Sequence, residues 1–238
     1  MPIHLRAASG DYAEACLLPG DPQRARWIAE RFLDDARQVS DHRGLLGYTG
    51  AFEGRPVSVQ GTGMGCPTLA IVVEELVGLG VRKPMRVGTC GGLSPKLALG
   101  DLVLALSSVP ADGTTAAYLG GEPCAPTADW ELLHGTVHAA KELGRKLRVG
   151  PIASTDVFYE PDPERNRRWA ARGVLAVEME ASALFTLAAL RGVQAACLLV
   201  VSDAIDGEHK ERISEAALQD SVEAMAQLAL RAVTSSKH

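Results

Sequence analysis

An α/β fold is what this sequence predicts, on three observations. Short apolar runs alternate with helical patterns along the whole length, which argues against separate all-α and all-β parts. Glycine-rich or polar segments stand immediately after several of those runs, where open sheets bind ligands at the carboxyl ends of their strands. The 238 residues contain no internal repeat, low-complexity tract or linker, so residues 1–238 are expected to form a single domain with a substantial core.

The elements follow in chain order. Ala15 to Leu18 reads as a short buried strand ending at Gly20-Asp21-Pro22, where Asp21 can N-cap and Pro22 suits the first helical position. Ala25, Ile28 and Phe32 then share one helix face. Leu46 to Phe52 and Val57 to Gln60 read as a hairpin around Glu53-Gly54-Arg55. Gly61-Thr62-Gly63-Met64-Gly65 follows, and Pro67 opens a helix carrying Leu69, Val72, Val73 and Leu76. Met85 to Val87 is a strand expected to end in a Gly88-Thr89-Cys90-Gly91-Gly92 loop, and Leu102 to Leu106 continues the sheet. Pro110 to Pro126 has little periodicity and reads as a surface excursion near a site or subunit contact. Helices over Asp129 to Leu143 and Pro163 to Arg172 flank a strand, Val149 to Ala153. Val174 to Val177 runs into a helix beginning near Glu180, with Leu184, Leu187 and Ala188 inward. Ala195 to Val201 is the most apolar strand. The last helix, Ser214 to Val233, carries Leu218, Val222, Met225 and Ala229 on one stripe.

Composition limits the function classes. The formal net charge of -5 argues against a dedicated nucleic-acid binder, which shows a basic excess or stripe. No run approaches the roughly eighteen apolar residues of a membrane span, and the N-terminal residues have no apolar signal core. Cys16, Cys66, Cys90, Cys124 and Cys197 have neither metal-ligand spacing nor a disulfide framework, which suggests a reducing cytoplasm. Cys90 lies in the glycine-rich segment, with no base and orienter nearby to make it a nucleophile.

The chemistry-bearing segments stand at strand ends. Gly20-Asp21-Pro22-Gln23-Arg24 offers amides at a helix start plus an arginine, a setting that favours an anion; an ordinary strand-to-helix turn has the same form. Arg86 to Gly92 adds an arginine, the Thr89 hydroxyl and a backbone that a ligand can approach closely. It is neither a phosphate-binding loop of the lysine-serine/threonine type nor a dinucleotide fingerprint. Two arginines and a threonine would suit a forked phosphate pocket. Glu178 and Glu180 bracket Met179 at the edge of an apolar run, and carboxylates so placed are costly without hydrogen-bond partners. Sugar hydroxyls would supply the donors, although two acids at a helix start also complement its dipole. Ser202-Asp203 puts a carboxyl at the end of the most apolar strand. Burial disfavours a charged carboxylate, which suits proton donation, while a loop-capping aspartate fits the same place.

Taken in order, Leu18-Pro19-Gly20-Asp21-Pro22 with Arg24, His42-Arg43-Gly44, Gly63-Met64-Gly65, Arg86-Val87-Gly88-Thr89, Phe158-Tyr159, Val177-Glu178-Met179-Glu180 and Ser202-Asp203 resemble the nucleoside phosphorylase family of hexameric bacterial purine nucleoside and uridine phosphorylases. The resemblance covers essentially the whole chain. It implies a three-layer αβα sandwich around a mixed, partly barrel-like central β-sheet. It also implies a cytoplasmic pentosyltransferase that converts a nucleoside and phosphate reversibly to free base and ribose 1-phosphate, with no cofactor and no metal. By similarity Gly20, Arg24, Arg86 and Thr89 would hold phosphate, with Arg43 reaching in from a neighbouring subunit. Met64, Met179 and Glu180 would hold the ribose, with His4 of the neighbour at the 5′-hydroxyl. Cys90, Gly91, Phe158, Val177, Glu178 and Ser202 would line the base site, and Asp203 would protonate the purine at N7. The implied assembly is a homohexamer, a trimer of dimers, with no nucleic-acid or membrane partner.

Within that family, Asp203, together with Pro163 where uridine enzymes carry a glutamine, favours purines over uridine. Hydrolytic relatives should not need Arg24, Arg43 and Arg86. A non-catalytic nucleoside-binding protein is the alternative from another class. One departure stands out: the arginine that assists the aspartate in purine enzymes has no counterpart in Ile213 to Leu218, leaving Arg212 as the nearest candidate.

Overall fold

The computed structural model describes residues 2–162, 164–206 and 209–235; Pro163, whose identity bears on base choice, lies outside them. Ten strands form one mixed sheet: β1 (Ala15–Leu18), β2 (Asp34–Ser40), β3 (Gly47–Phe52), β4 (Arg55–Gln60), β5 (Lys83–Gly92), β6 (Leu102–Ala111), β7 (Leu147–Thr155), β8 (Ala176–Glu178), β9 (Ala196–Asp206) and β10 (His209–Arg212). Their order is β10-β9-β6-β7-β8-β5-β1-β4-β3-β2, and β9 also pairs with β5. That extra pairing closes β9, β6, β7, β8 and β5 into a five-stranded ring, the barrel-like part of the sheet.

Among the described residues seven α-helices flank it: α1 (Pro22–Phe32), α2 (Cys66–Gly78), α3 (Gly113–Leu119), α4 (Trp130–Glu142), α5 (Arg165–Ala171), α6 (Ala181–Arg191) and α7 (Glu215–Thr234). On one face Ala25 and Ile28 of α1, Leu132 and Leu133 of α4, and Met225 and Leu228 of α7 pack on Leu17, Val59, Val87 and Leu198. On the other, Leu69, Val73 and Leu76 of α2 and Leu184, Phe185 and Leu187 of α6 pack on Cys16, Leu18, Leu199 and Val201. Alternate residues of each central strand therefore feed opposite cores, as the two-residue strand period requires. The result is the expected three-layer αβα arrangement.

Three segments differ from the sequence expectation. Asp34 to Ser40 is an edge strand, β2, although its sequence, DDARQVS, is almost wholly exposed and has no apolar alternation; charged edges of this kind discourage further pairing. Gly88 to Gly92 is not a loop but the second half of β5, paired with β9 through a bulge between Cys90 and Gly91. The Pro110–Pro126 excursion begins as the end of β6 and contains α3, whose first turn is capped by Asp112 accepting from the Thr115 N–H at 2.7 Å.

Glycine is required where α1 meets the sheet. A Cβ on Gly61 would lie 2.8 Å from the Pro22 Cα, a backbone atom that cannot step aside. Gly61→Ala is therefore expected to lower stability by about 1–3 kcal/mol through overpacking, seen as a lower urea midpoint at unchanged slope.

Candidate active site

A cavity of about 520 Å³ opens where β1, β4, β5, β7, β8 and β9 end. Its lining brings together Gly20, Arg24, Arg86 and Thr89; Met64, Met179 and Glu180; and Cys90, Gly91, Phe158, Val177, Glu178, Ser202 and Asp203. His4 and Arg43 are not part of it.

Arg86, 5% exposed, is the electrostatic centre of the cavity. Its Nε donates to Glu178 Oε2 at 2.9 Å, and its Nη2 forms a close ion pair with Glu180 Oε2. Burial alone would lower the guanidinium's pKa, but Glu180 and Glu178 together raise it. Its Nη1 is buried with no hydrogen-bond partner. A Cβ on Gly20 would stand 3.6 Å from that nitrogen and 3.2 Å from the Gly63 carbonyl, so Nη1 lies beside the start of α1. There Asp21 caps the helix by accepting from the Gln23 N–H at 2.8 Å. The Arg24 side chain, in the first turn, makes no hydrogen bond or ion pair among the described residues; burial lowers its pKa, Asp21 opposes that, and nearby Arg86 adds to it. An unpartnered buried N–H, a second guanidinium and a helix N-terminus make a place for an anion.

The two glutamates differ in what they have left to offer. Glu178 accepts from Arg86 Nε, Ser154 Oγ at 2.5 Å, the Ala181 N–H at 2.9 Å and, bifurcated, the Glu180 N–H at 3.0 Å. That fills the four lone-pair positions of a carboxylate. Ser154 is equally occupied: it donates to Glu178 and receives the Ser182 N–H at 2.9 Å, with the Ser108 hydroxyl 2.8 Å away. The Glu180 carboxylate accepts only the Gly65 N–H, at 2.6 Å, besides its ion pair, and its Oε2 makes no hydrogen bond among the described residues. Burial raises its carboxyl to about 7, with Arg86 opposing and Glu178 reinforcing the rise. The wall therefore holds one saturated carboxylate and one with capacity to spare.

Asp203, 8% exposed, accepts from Ser202 Oγ at 2.8 Å on Oδ2. Arg212 lies opposite it in the β9–β10 pairing, with Nη1 3.9 Å from Oδ1. Arg212, the candidate nearest in sequence, is thus brought beside Asp203 by the β9–β10 pairing. Cys90 is buried, its thiol pushed up mainly by desolvation, and is not primed as a nucleophile. At the mouth, Met64 (82% exposed) and Phe158 (55%) present apolar surface to solvent.

His4 and Arg43 share a different surface. The Glu75 carboxylate accepts from the Ile3, His4 and Leu5 N–H groups and pairs with His4 Nδ1 at 2.9 Å. His42 has its pKa lowered by desolvation and by Arg6, Arg43 and His4 around it. Arg43 itself is left-handed, with φ 57°, a conformation costly for a residue with a Cβ.

Thr155, Glu160, Asn166, Trp169 and Ile205 also line the cavity but were not singled out from sequence. Thr155 ends β7, so the strand-end rule that found Arg86 and Ser202 would have found it too. Cys66, Asp112 and Asp156, remote in sequence, have ligand atoms within 4.8 Å of one another. Burial pushes the Cys66 thiol up, and both aspartates accept hydrogen bonds from the protein, from Thr115 and Ser182 for Asp112 and from Gly113 for Asp156.

Such a ring-closed α/β sheet, with an anion pocket, a carboxylate pair and a buried aspartate at its strand ends, defines a class, and the chain belongs to the phosphorylase superfamily, which it matches over residues 14–234. More particularly, it is 48% identical over 206 residues to the DeoD-type purine nucleoside phosphorylase of Caldanaerobacter subterraneus subsp. tengcongensis, covering 86% of this chain and 89% of that one. It is 47% identical over 204 residues to the DeoD-type enzyme of Clostridium beijerinckii, covering 85% and 86%. With that of Exiguobacterium sibiricum it shares 45% over 204 residues, covering 85% and 87%.

Two outcomes are expected. Glu178→Ala strands the Arg86 guanidinium and is expected to cost about 3–5 kcal/mol in urea unfolding, against about 1–3 kcal/mol for Ser154→Ala. Glu180 binds its proton more tightly folded than unfolded, so its contribution to stability is full below its ordinary value of 4.5 and lost as pH rises through about 7. Unfolding midpoints between pH 4 and 8 should show that decline, and Glu180→Gln should remove it.

Proposed function

We propose that this protein catalyses the reversible phosphorolysis of purine nucleosides, taking inorganic phosphate as co-substrate. The observation that carries the reading is the meeting, in one cavity, of the unpartnered Arg86 Nη1 beside the α1 N-terminus with the under-used Glu180 and the buried Asp203. The purine names of the relatives support the same substrate class.

In this reading Gly20, Arg24, Arg86 and Thr89 hold phosphate below the sugar. Glu180 accepts from the ribose hydroxyls, with Met64 and Met179 against the ring. Phe158, Val177, Cys90 and Gly91 enclose the base, while Glu178 acts from behind by holding Arg86. As the bond between C1′ and the purine N9 breaks, its electron pair goes to the base and positive charge builds on the sugar. A phosphate oxygen then bonds to C1′, and Asp203 passes a proton to N7, assisted by Ser202 and by Arg212. Phosphate and Glu180 stabilise the developing cation, and the proton neutralises the leaving base.

His4 and Arg43 serve a neighbouring copy in this reading, which makes the working unit an oligomer, a homohexamer by family resemblance. Their placement outside the cavity, in one basic cluster with Arg6 and His42, supports that. No helix among the described residues is long and apolar enough to cross a membrane, and all five cysteines are free; both accord with a cytoplasmic protein.

Base release from inosine or adenosine is expected to require phosphate; release that ignores phosphate would overturn the reading. Asp203→Asn is expected to lower turnover by at least about 10²-fold, the lower bound for a general acid. Arg43→Ala is expected to raise KM for phosphate while native mass spectrometry still reports the oligomer.

A further inference from the structure

The N-terminal segment closes around one carboxylate. Leu5 is buried in the same core as Leu69, Val73 and Leu76 of α2, and Glu75 stands on that helix with its side chain only 14% exposed. Glu75 Oε1 accepts the Ile3 N–H at 2.9 Å, and its Oε2 accepts the Leu5 N–H at 2.8 Å. The His4 N–H is shared between the two oxygens at 3.0 Å. Three successive amides thus converge on one anion, as in the concave backbone sites that bind anions elsewhere. The His4 ring joins them, with Nδ1 2.9 Å from Oε1. Burial would raise the Glu75 pKa, but the Leu5 and His4 N–H groups, the His4 ring and the Ile3 N–H hold it below the usual carboxylate value.

That clamp fixes the chemistry of the ring. An ionised carboxylate only accepts, so the nitrogen facing it carries the hydrogen. In the neutral imidazole Nε2 is then the bare acceptor, because the bond made by one ring nitrogen sets the state of the other. Nε2 makes no hydrogen bond among the described residues, and the side chain is 28% exposed. An oriented acceptor is therefore left uncommitted, outside the cavity of its own chain. Glutamine at position 75 would not reproduce this. Its one amide oxygen has two lone pairs for four donors, and its NH2 would face other N–H groups.

We propose that Glu75 is a positioning residue that holds the His4 ring in its Nδ1–H form, leaving Nε2 to accept from the 5′-hydroxyl of a nucleoside bound in a neighbouring copy. This rests on the phosphorolysis reading above, in which His4 serves that copy. The test measures kcat/KM for adenosine and 5′-deoxyadenosine at saturating phosphate in the native protein, Glu75→Gln, His4→Ala and the double variant. The ratio of adenosine to 5′-deoxyadenosine is expected to fall about threefold or more in each single variant, as loss of one hydrogen bond implies. The double variant should fall no further than His4→Ala, because Glu75 acts through His4. A merely structural role would lower both nucleosides alike. An unchanged ratio in Glu75→Gln, or losses that multiply in the double variant, would overturn the proposal. An unchanged ratio in His4→Ala would overturn it together with the placement of His4 at the hydroxyl. If base release ignored phosphate, the phosphorolysis reading would fail instead, and the ring itself would decide the role of Glu75. Imidazole 15N shifts at pH 8.5, with His4 assigned by its loss in His4→Ala, are expected to place the proton on Nδ1 in the native protein. A proton on Nε2 there would overturn the proposal, whether or not Glu75→Gln folds.

Discussion

The buried Arg86 guanidinium is the constraint on which the rest of the cavity depends. A charge with so little exposure survives only because Glu178 and Glu180 flank it, and removing one partner of such a group costs far more than the pair contributes. Glu178 in turn is held by Ser154 and by two backbone N–H groups at the start of α6. The strands β5, β7 and β8 and the helix α6 are therefore tied to one guanidinium. Because two of its nitrogens are engaged by carboxylates, the third stands free beside α1. The same ties that stabilise the fold thus leave an unpartnered guanidinium nitrogen in a fixed place.

Backbone shape makes room for this. A Cβ on Gly88 would come 3.0 Å from Arg86 Nη2, and one on Gly91 would come 2.4 Å from Ile205 Cδ1. The glycines of β5 let the Arg86 guanidinium and the Ile205 side chain approach the strand closely. A loop would not have given that precision, and sites carried on strands are held more rigidly than sites on loops.

The sequence made much of this legible. Apolar strands such as Ala195 to Val201 and the helix at Pro22 announce themselves by run length and capping chemistry, and the strand-end rule pointed to Arg86, Glu180 and Asp203. What stayed hidden has physical reasons. β2 is polar because it is an edge strand, so it lacks the alternation that marks a half-buried one. The glycine-rich half of β5 looks like a loop because local propensity says nothing of its long pairing with β9. α3 is short and its cap, Asp112, is tied to Ser182 of α6, so tertiary contacts support it more than periodicity does. Glu178 and Glu180 look alike in sequence; only the census of their hydrogen bonds separates the saturated carboxylate from the available one. Glu160 and Asn166 carry no motif, and become notable only once the cavity gathers them.

The central claim is that Arg86, clamped by two carboxylates, presents a free guanidinium nitrogen to phosphate. Calorimetric titration of inorganic phosphate into the native protein and into Arg86→Lys tests it most directly. Lysine keeps the charge but cannot reproduce the planar fork that serves two carboxylates and an anion at once. The expected result is saturable phosphate binding to the native protein without nucleoside, weakened at least tenfold in Arg86→Lys, about 1.4 kcal/mol. Equal phosphate affinity in a folded Arg86→Lys variant would contradict the account.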